Sequence, residues 1–194
     1  TALTDDERFH LDSYAKGINH TDVETRDFLN QLDSIDKPIT VIFYGDHLPG
    51  IYGSLAGDKA NEIALHETEY FIWSNRVSAS HDVKLDPARN AYTSSNYFMA
   101  QAAEHMNSRV SPYLAMLSRL HEVAPATTRL AQTFGEWRNS DTVTVLGDDG
   151  KIIPNDTLGG DVKTALSDYA MVQYDLTVGD HWLDGMGFTD VPES

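Results

Sequence analysis

Two kinds of hydrophobic spacing alternate along the chain and predict both helices and strands. Thr4-Asp5-Asp6-Glu7 has the form of a capping box, and apolar residues then recur with helical spacing as far as Leu32. The run from Ile39 to Tyr44 is short, almost continuously apolar and rich in β-branched residues, and Tyr70 to Trp73 has the same character. Such runs are typical of strands buried on both faces. The pattern therefore predicts an α/β fold, with a sheet flanked by helices.

The second half of the chain is predicted to be mainly helical. Ser94 and Ser111 each stand where an N-cap is expected, ahead of residues with helical spacing. The segments Thr142 to Leu146 and Lys151 to Ile153 flank a Gly-Asp-Asp-Gly turn and predict a small β-hairpin near the C-terminal end. A last amphipathic helix is predicted from Val162 to Val178. With no internal repeat and no linker, residues 1–194 are expected to form a single compact unit.

Charge and composition limit the classes of partner and site that the chain could have. The formal net charge is -16, which disfavours nucleic acid and anionic membrane surfaces. The absence of cysteine excludes disulfides, thiolate nucleophiles and zinc-thiolate sites. An anionic substrate would therefore have to be held locally, by a metal ion or by backbone N–H groups. The chain contains no apolar run of membrane-spanning length, and by itself it is expected to be soluble.

Asp46 and His47 are the candidate metal ligands. They directly follow the predicted strand Ile39 to Tyr44, and ligand sites in open parallel sheets form beyond the carboxyl ends of strands. A carboxylate and an imidazole both bind zinc or manganese, and Gly45 could allow a backbone kink that turns both toward one ion. The alternative interpretation is a turn aspartate beside a surface histidine.

Other candidate residues are weaker. His66 could approach the same site, but a lone imidazole is more often structural. Tyr169, Tyr174 and Trp182 could form a sugar-binding surface, but aromatic residues at helical spacing usually pack in a core, and packing is the prediction here. The remaining histidines are predicted to be surface residues: His10, His20, His81, His105, His121 and His181. No serine-hydrolase elbow, Walker loop or dinucleotide fingerprint is present.

The phrase Val41-Ile42-Phe43-Tyr44-Gly45-Asp46-His47-Leu48-Pro49 is similar to the second metal-ligand segment of lipoteichoic acid synthase-like proteins, in the sulfatase and alkaline phosphatase superfamily. Further segments resemble other phrases of that family: Tyr14 to Phe28, His66 to Asn75, Thr93 to Tyr97, Ser111 to Tyr113 and Asp168 to Asp175. The resemblance covers most of the chain, and it implies a sulfatase-like sheet flanked by helices, of which this chain is the C-terminal part.

The resemblance also implies a site and a reaction. Asp46 and His47 would bind one divalent ion, with manganese expected and zinc or calcium as alternatives. The family's nucleophile is a threonine, which would form a covalent phospho-threonine intermediate. That threonine and a further acidic ligand would lie in segments before Thr1. This chain is therefore expected to contain half of the metal site and no catalytic residue, and to be inactive alone. The expected reaction transfers phosphoglycerol, or a related alcohol phosphate, from a lipid-linked donor to a cell-envelope polymer. The expected location is the extracytoplasmic face of the membrane. The complete protein would be anchored there by membrane-spanning segments that precede this chain.

Two alternatives stay open from the sequence. A sulfate ester hydrolase of the same superfamily shares the metal geometry and differs in its nucleophile, which lies outside this chain. A noncatalytic module that binds a partner or a polymer would need no metal.

Overall fold

The computed structural model of the protein describes residues 3–79, 81–129 and 143–193. Its contacts group the chain into two compact units, Thr1–His81 and Asp82–Ser194, rather than the single unit that the sequence suggested. Helices and small antiparallel sheets occur in both, which confirms the predicted mixed α/β class with helices flanking the sheets. None of the described helices combines the length and the apolar character needed to cross a membrane.

A single long helix, α1 (Asp5–Asp33), opens the first unit. Thr4 is its N-cap: the Glu7 N–H donates to Thr4 Oγ1, and the Thr4 N–H donates to a Glu7 carboxylate oxygen. The predicted capping box is thus confirmed, and it satisfies two of the backbone donors that a helix start leaves unpaired. Among the described residues of α1 none is buried, and Phe9 and Phe28 are largely exposed.

The two predicted strands of the first unit form a ribbon, β1 (Thr40–Tyr44) and β2 (Tyr70–Ser74). They run antiparallel, with Thr40 opposite Ser74 and Tyr44 opposite Tyr70. Phe43 and Phe71 face each other in this register, and their rings stack with centroids 5.1 Å apart. Both rings remain exposed, so the prediction that β1 is buried on two faces in a parallel sheet was wrong for the described residues. An apolar, β-branched run predicts a strand but does not fix the direction of its partner.

Asn75, directly after β2, connects the three elements of this unit. Its side chain is fully buried. Its Oδ1 accepts hydrogen bonds from the N–H groups of Ile39 and Ser78, both at 3.1 Å. Its Nδ2 faces three carbonyl oxygens at the end of α1 and in the following turn, those of Leu32, Ile35 and Lys37, at 3.3, 3.1 and 2.8 Å. One amide therefore joins the end of α1, the entry to β1 and the exit from β2.

The second unit has its core among three helices: α2 (Phe98–His105), α3 (Pro112–Val123) and α4 (Gly160–Thr177). Ser111 caps α3 as predicted, since its Oγ accepts the Leu114 N–H. Ser94 instead precedes a short 3-10 turn that leads into α2, and its side chain makes no cap bond. The core residues are Tyr97, Ala100, Leu117, Leu120, Ala124 and Val145.

A three-stranded antiparallel sheet completes the second unit, with β3 (Ala126–Thr128), β4 (Thr144–Leu146) and β5 (Ile152–Ile153) in that order. β4 and β5 are the predicted hairpin, which is confirmed, although its predicted first residue, Thr142, lies outside the described residues. Gly150 in the turn has a φ of 73°, a left-handed backbone that favours glycine. A short helix, α5 (Trp182–Gly185), follows α4.

Replacing Asn75 should open the first unit. In Asn75→Ala the buried N–H groups of Ile39 and Ser78 lose their acceptor, and each such group costs about 1–3 kcal/mol. We expect the opening free energy of the β1–β2 amides, measured by hydrogen exchange, to fall by at least about 2 kcal/mol. The matched control is Asn30→Ala on the exposed surface of α1, which should change it by less than about 0.5 kcal/mol. Equal effects of the two variants would contradict this role of Asn75.

Candidate metal centre

Asp46 and His47 lie directly after β1, at the end of the ribbon where the chain leaves for a glycine-rich loop. Both side chains are open to solvent, with 83% of the Asp46 side chain and 78% of the His47 side chain accessible. The sequence placed these residues at a strand end, and the strand is present. Within the described residues its neighbour is the antiparallel β2, so the pair sits at the end of a hairpin-like ribbon.

In the described structure, the hydrogen bonds of the pair use one atom of each side chain and leave Asp46 Oδ2 and His47 Nε2 as the atoms that could bind a metal. The His47 N–H donates to Asp46 Oδ1 at 2.9 Å. His47 Nδ1 lies 2.9 Å from the carbonyl oxygen of Leu48, and because a carbonyl only accepts, this nitrogen carries the proton. The neutral ring then presents its lone pair at Nε2, which is the tautomer a metal ligand needs.

The two remaining atoms, Asp46 Oδ2 and His47 Nε2, are 3.6 Å apart. Two ligand atoms about 2.1 Å from one tetrahedral ion lie roughly 3.4 Å from each other. The spacing is therefore close to that of two ligands of one divalent ion. The set of one oxygen and one imidazole nitrogen suits manganese or zinc and is poor for calcium, which prefers oxygen ligands.

The pair has no third ligand in the part of the chain that the structure describes, where no group of three or more His, Asp or Glu side chains could hold a metal. His66 is exposed, and its Nδ1 contacts the carbonyl oxygen of Glu62 at 2.7 Å. It therefore does not join Asp46 and His47. Among the described residues, the structure therefore brings together two candidate ligands and no third one.

Gly45 fixes the start of the loop through a close backbone approach. The Gly45 N–H donates to the Glu69 carbonyl at 3.1 Å, and Thr68 Oγ1 donates to the Gly45 carbonyl at 2.6 Å. A Cβ on Gly45 would lie 3.0 Å from Thr68 Cβ, a tight contact that would require Thr68 to move by a few tenths of an ångström. The backbone of Gly45 is not in the left-handed region, so glycine is needed here for space, and the suggested kink does not depend on an unusual dihedral angle.

The far part of the loop is held by the first turn of α1. The Ser54 N–H donates to Glu7 Oε1 and the Ser54 hydroxyl donates to Glu7 Oε2, both at 2.7 Å. Hydrogen bonds from Ser54, more than those from Thr4, lower the pKa of Glu7 to about 2. Nothing in the sequence pattern pointed to this pairing, because the two residues are far apart in the chain and serine is common in loops.

Two histidines predicted to be on the surface are not. His121 is buried in the second unit, where its ring packs 5.0 Å from that of Tyr97, and burial lowers its pKa. His105 Nε2 lies 3.1 Å from Asp82 Oδ2 in a contact with little solvent access. His105 ends the eight-residue helix α2, where the periodic pattern gives few turns to tell the inner face from the outer. His121 lies four residues after the core residue Leu117, so the spacing did place it on the inner face of α3, and only its polar residue type suggested the surface.

Of the three C-terminal aromatic residues predicted to pack in a core, only one does so in the structure. Tyr169 packs against the core of the second unit. Tyr174 and Trp182 are 63% and 72% exposed. Tyr174 is five residues from Tyr169, which places it roughly 140° around the helix and off the core-facing stripe.

Comparisons with known proteins found one matching family and two similar proteins. The Sulfatase family profile matches residues 2–108. A solved structure, Streptococcus pyogenes phosphoglycerol transferase GacH in complex with sn-glycerol-1-phosphate, superposes with a TM-score of 0.71 at 33% sequence identity, over 99% of this chain and 41% of that one. A curated relative from Rhizobium meliloti (strain 1021), a putative cyclic beta-1,2-glucan modification protein, is 24% identical over 190 residues, covering 91% of this chain and 27% of the relative. The chain thus spans well under half the length of either protein.

Gly45→Ala should disturb the start of the metal loop. The added Cβ must push Thr68 aside, at a cost of about 1–3 kcal/mol, and so weaken the bond from residue 45 to Glu69. The measurement is hydrogen exchange of the residue 45 amide, expected to accelerate about tenfold or more. Gly53→Ala is the control, because nothing lies within 4 Å of its added Cβ. Unchanged exchange in Gly45→Ala would show that the contact with Thr68 is unimportant.

The bond between Glu7 and Ser54 should depend on pH. The pKa of Glu7 falls from an ordinary 4.5 to about 2 in the folded chain, so its stabilising effect is fully present above pH 4.5 and is lost as pH falls toward 2. In an NMR titration the Ser54 amide signal should move with a midpoint near 2. A midpoint near 4.5 would mean that the carboxylate does not accept these bonds in solution.

Proposed function

Because this chain belongs to the sulfatase family, as its phrase from Val41 to Pro49 predicted, we propose that it is the C-terminal part of a metal-dependent transferase domain. The complete protein would move phosphoglycerol, or a related alcohol phosphate, from a lipid-linked donor to a cell-envelope polymer. This chain would supply two of the metal ligands, Asp46 and His47.

The observation that carries the proposal is the arrangement of these two side chains. Asp46 Oδ2 and His47 Nε2 are 3.6 Å apart, while the other atom of each is occupied within the loop. The contact of His47 Nδ1 with the Leu48 carbonyl leaves Nε2 as the ring nitrogen that could bind the ion.

A bound divalent ion would supply Lewis-acid chemistry, lowering the pKa of an attacking hydroxyl and stabilising charge on the phosphoryl oxygens. The contribution of this chain is to hold and orient. Asp46 contributes negative charge that offsets the ion, and His47 contributes a neutral nitrogen, so that the ion keeps net positive charge for an anionic substrate. That positive charge is needed to attract an anionic substrate, because the chain itself has a net charge of -16.

The nucleophile and the remaining ligands would come from a preceding segment of the same domain. Two observations support this. The described residues give the pair no third ligand, and both relatives are more than twice as long as this chain. The exposed Phe43, Tyr44 and Phe71 on the ribbon also favour further sheet or helix packed against it.

Phosphoglycerol is favoured over sulfate as the transferred group by the identity of the solved relative, which is a phosphoglycerol transferase and is 33% identical to this chain. The curated relative is described as modifying a glucan, which supports a saccharide polymer as acceptor. Both substrates would be met on the extracytoplasmic face of the membrane, where such polymers are modified.

Manganese binding by the chain tests the proposal. We expect weak binding to the parent by isothermal titration calorimetry, because two ligands of four are present, and at least about tenfold weaker binding to Asp46→Ala, His47→Ala. The matched control is Asp6→Ala, His10→Ala on α1, which removes another exposed pair, with 3.7 Å between the carboxylate oxygen and the ring nitrogen. Equal affinity of the parent and the Asp46 and His47 variant would contradict the proposal.

A further inference from the structure

The loop that carries Asp46 and His47 is tied to the rest of its unit at two points. At its start Gly45 bonds to Thr68 and Glu69, next to β2. At its far part Ser54 bonds to Glu7, in the first turn of α1. Between these points, the hydrogen bonds that the described structure gives residues 46–53 all stay within the loop, such as those of His47 to Asp46 and Leu48.

This arrangement makes the orientation of the pair depend on both ties. A segment of this length held at one end samples many backbone conformations, and fixing the second end removes most of them. Asp46 Oδ2 and His47 Nε2 keep their 3.6 Å spacing only while the backbone between Gly45 and Leu48 is fixed. Ligands whose orientation is not supported by surrounding hydrogen bonds lose metal affinity.

We propose that Glu7 is a positioning residue for the metal site, acting through Ser54. This inference rests on the proposed function for the metal and adds a residue that the metal does not touch. The carboxylate of Glu7 does two things at once: it completes the capping box with Thr4, and it accepts two hydrogen bonds from Ser54. The start of α1 thereby sets the position of a loop 47 residues further along the chain.

The short hydrogen bonds of the Glu7 carboxylate favour a specific contact with Ser54. All four bonds that its carboxylate accepts from Thr4 and Ser54 are between 2.7 and 2.9 Å. Two of the four donors are backbone N–H groups, and charge-assisted bonds of this length are about twice as strong as neutral ones. The low pKa of Glu7 has the same origin.

The test separates this positioning role from simple stabilisation of α1. Four variants of the chain are compared with the parent: Glu7→Ala, Ser54→Ala, the double variant and Thr4→Ala. Thr4→Ala removes the helix cap and the bond from the Thr4 hydroxyl to Glu7 but leaves both bonds between Glu7 and Ser54, so it is the matched control. The readouts are manganese affinity, the ring proton signals of His47 in NMR spectra and hydrogen exchange of residues 46–53.

We expect Glu7→Ala to weaken manganese binding about tenfold and Ser54→Ala to weaken it less, because the Ser54 N–H still reaches Glu7. The double variant should lose no more than Glu7→Ala, since both residues act through one contact. His47 signals should shift and exchange at 46–53 should rise in both single variants, and Thr4→Ala should leave these readouts unchanged. If Thr4→Ala has the effect of Glu7→Ala, or if neither Glu7→Ala nor Ser54→Ala alters His47, the inference is overturned.

Failure of this inference can be distinguished from failure of the proposed function. If the parent binds no manganese through Asp46 and His47, the proposed function fails. The His47 signals and the exchange of residues 46–53 then still report whether Glu7 positions the loop. If the metal binds but these two readouts ignore Glu7, the positioning role alone is wrong.

Discussion

The first unit depends on the buried side-chain amide of Asn75. A two-stranded ribbon is at best marginally stable in water, and a helix with no buried residue contributes little packing. Asn75 compensates by satisfying backbone groups of three elements at once, the end of α1, the residue before β1 and the turn after β2. Because the side chain is fully buried, each of these bonds is shielded from competition with water.

The position of the candidate site follows from that constraint. At one end of the ribbon the side chain of Asn75 accepts a hydrogen bond from the Ile39 N–H. The antiparallel register then places Tyr44 opposite Tyr70 at the other end. Gly45 is thereby placed against Thr68, and Asp46 and His47 leave the ribbon in a defined direction. The buried amide of Asn75 thus helps to fix the position of two solvent-exposed candidate ligands. Exposure of these ligands is compatible with a site that is completed by another part of the protein.

Local signals in the sequence predicted the elements well. The capping box at Thr4, the N-cap at Ser111 and the hairpin turn at Gly150 each need specific residue types at fixed spacing, so the sequence states them directly. The direction of β2 relative to β1 was not predictable, because either direction buries the same apolar residues. The contacts of Asn75 and Glu7 were not predictable either, since they join residues about 40 positions apart.

The same distinction applies to the site. The phrase around Asp46 and His47 predicted the family, and the family match confirms that prediction, while the role of the pair as metal ligands stays a prediction. The exposure of Trp182 depended on which face of a one-turn helix meets the core, which so short a pattern does not determine. The burial of His121 agrees with its place four residues after Leu117 in α3, although its residue type suggested the surface. In this chain, the family was visible in a contiguous phrase of the sequence, whereas contacts between distant residues were visible only in the structure.

The central claim is that Asp46 and His47, among thirty acidic residues and eight histidines, are the pair that binds a divalent ion. Paramagnetic broadening of NMR signals by substoichiometric manganese tests it most directly, since the effect reports distance from the ion. The account predicts that broadening is strongest at the amides of Gly45 to Leu48 and at the His47 ring. Broadening centred on Asp6 and His10 of α1, or spread evenly over the acidic surface with His47 unaffected, would contradict it.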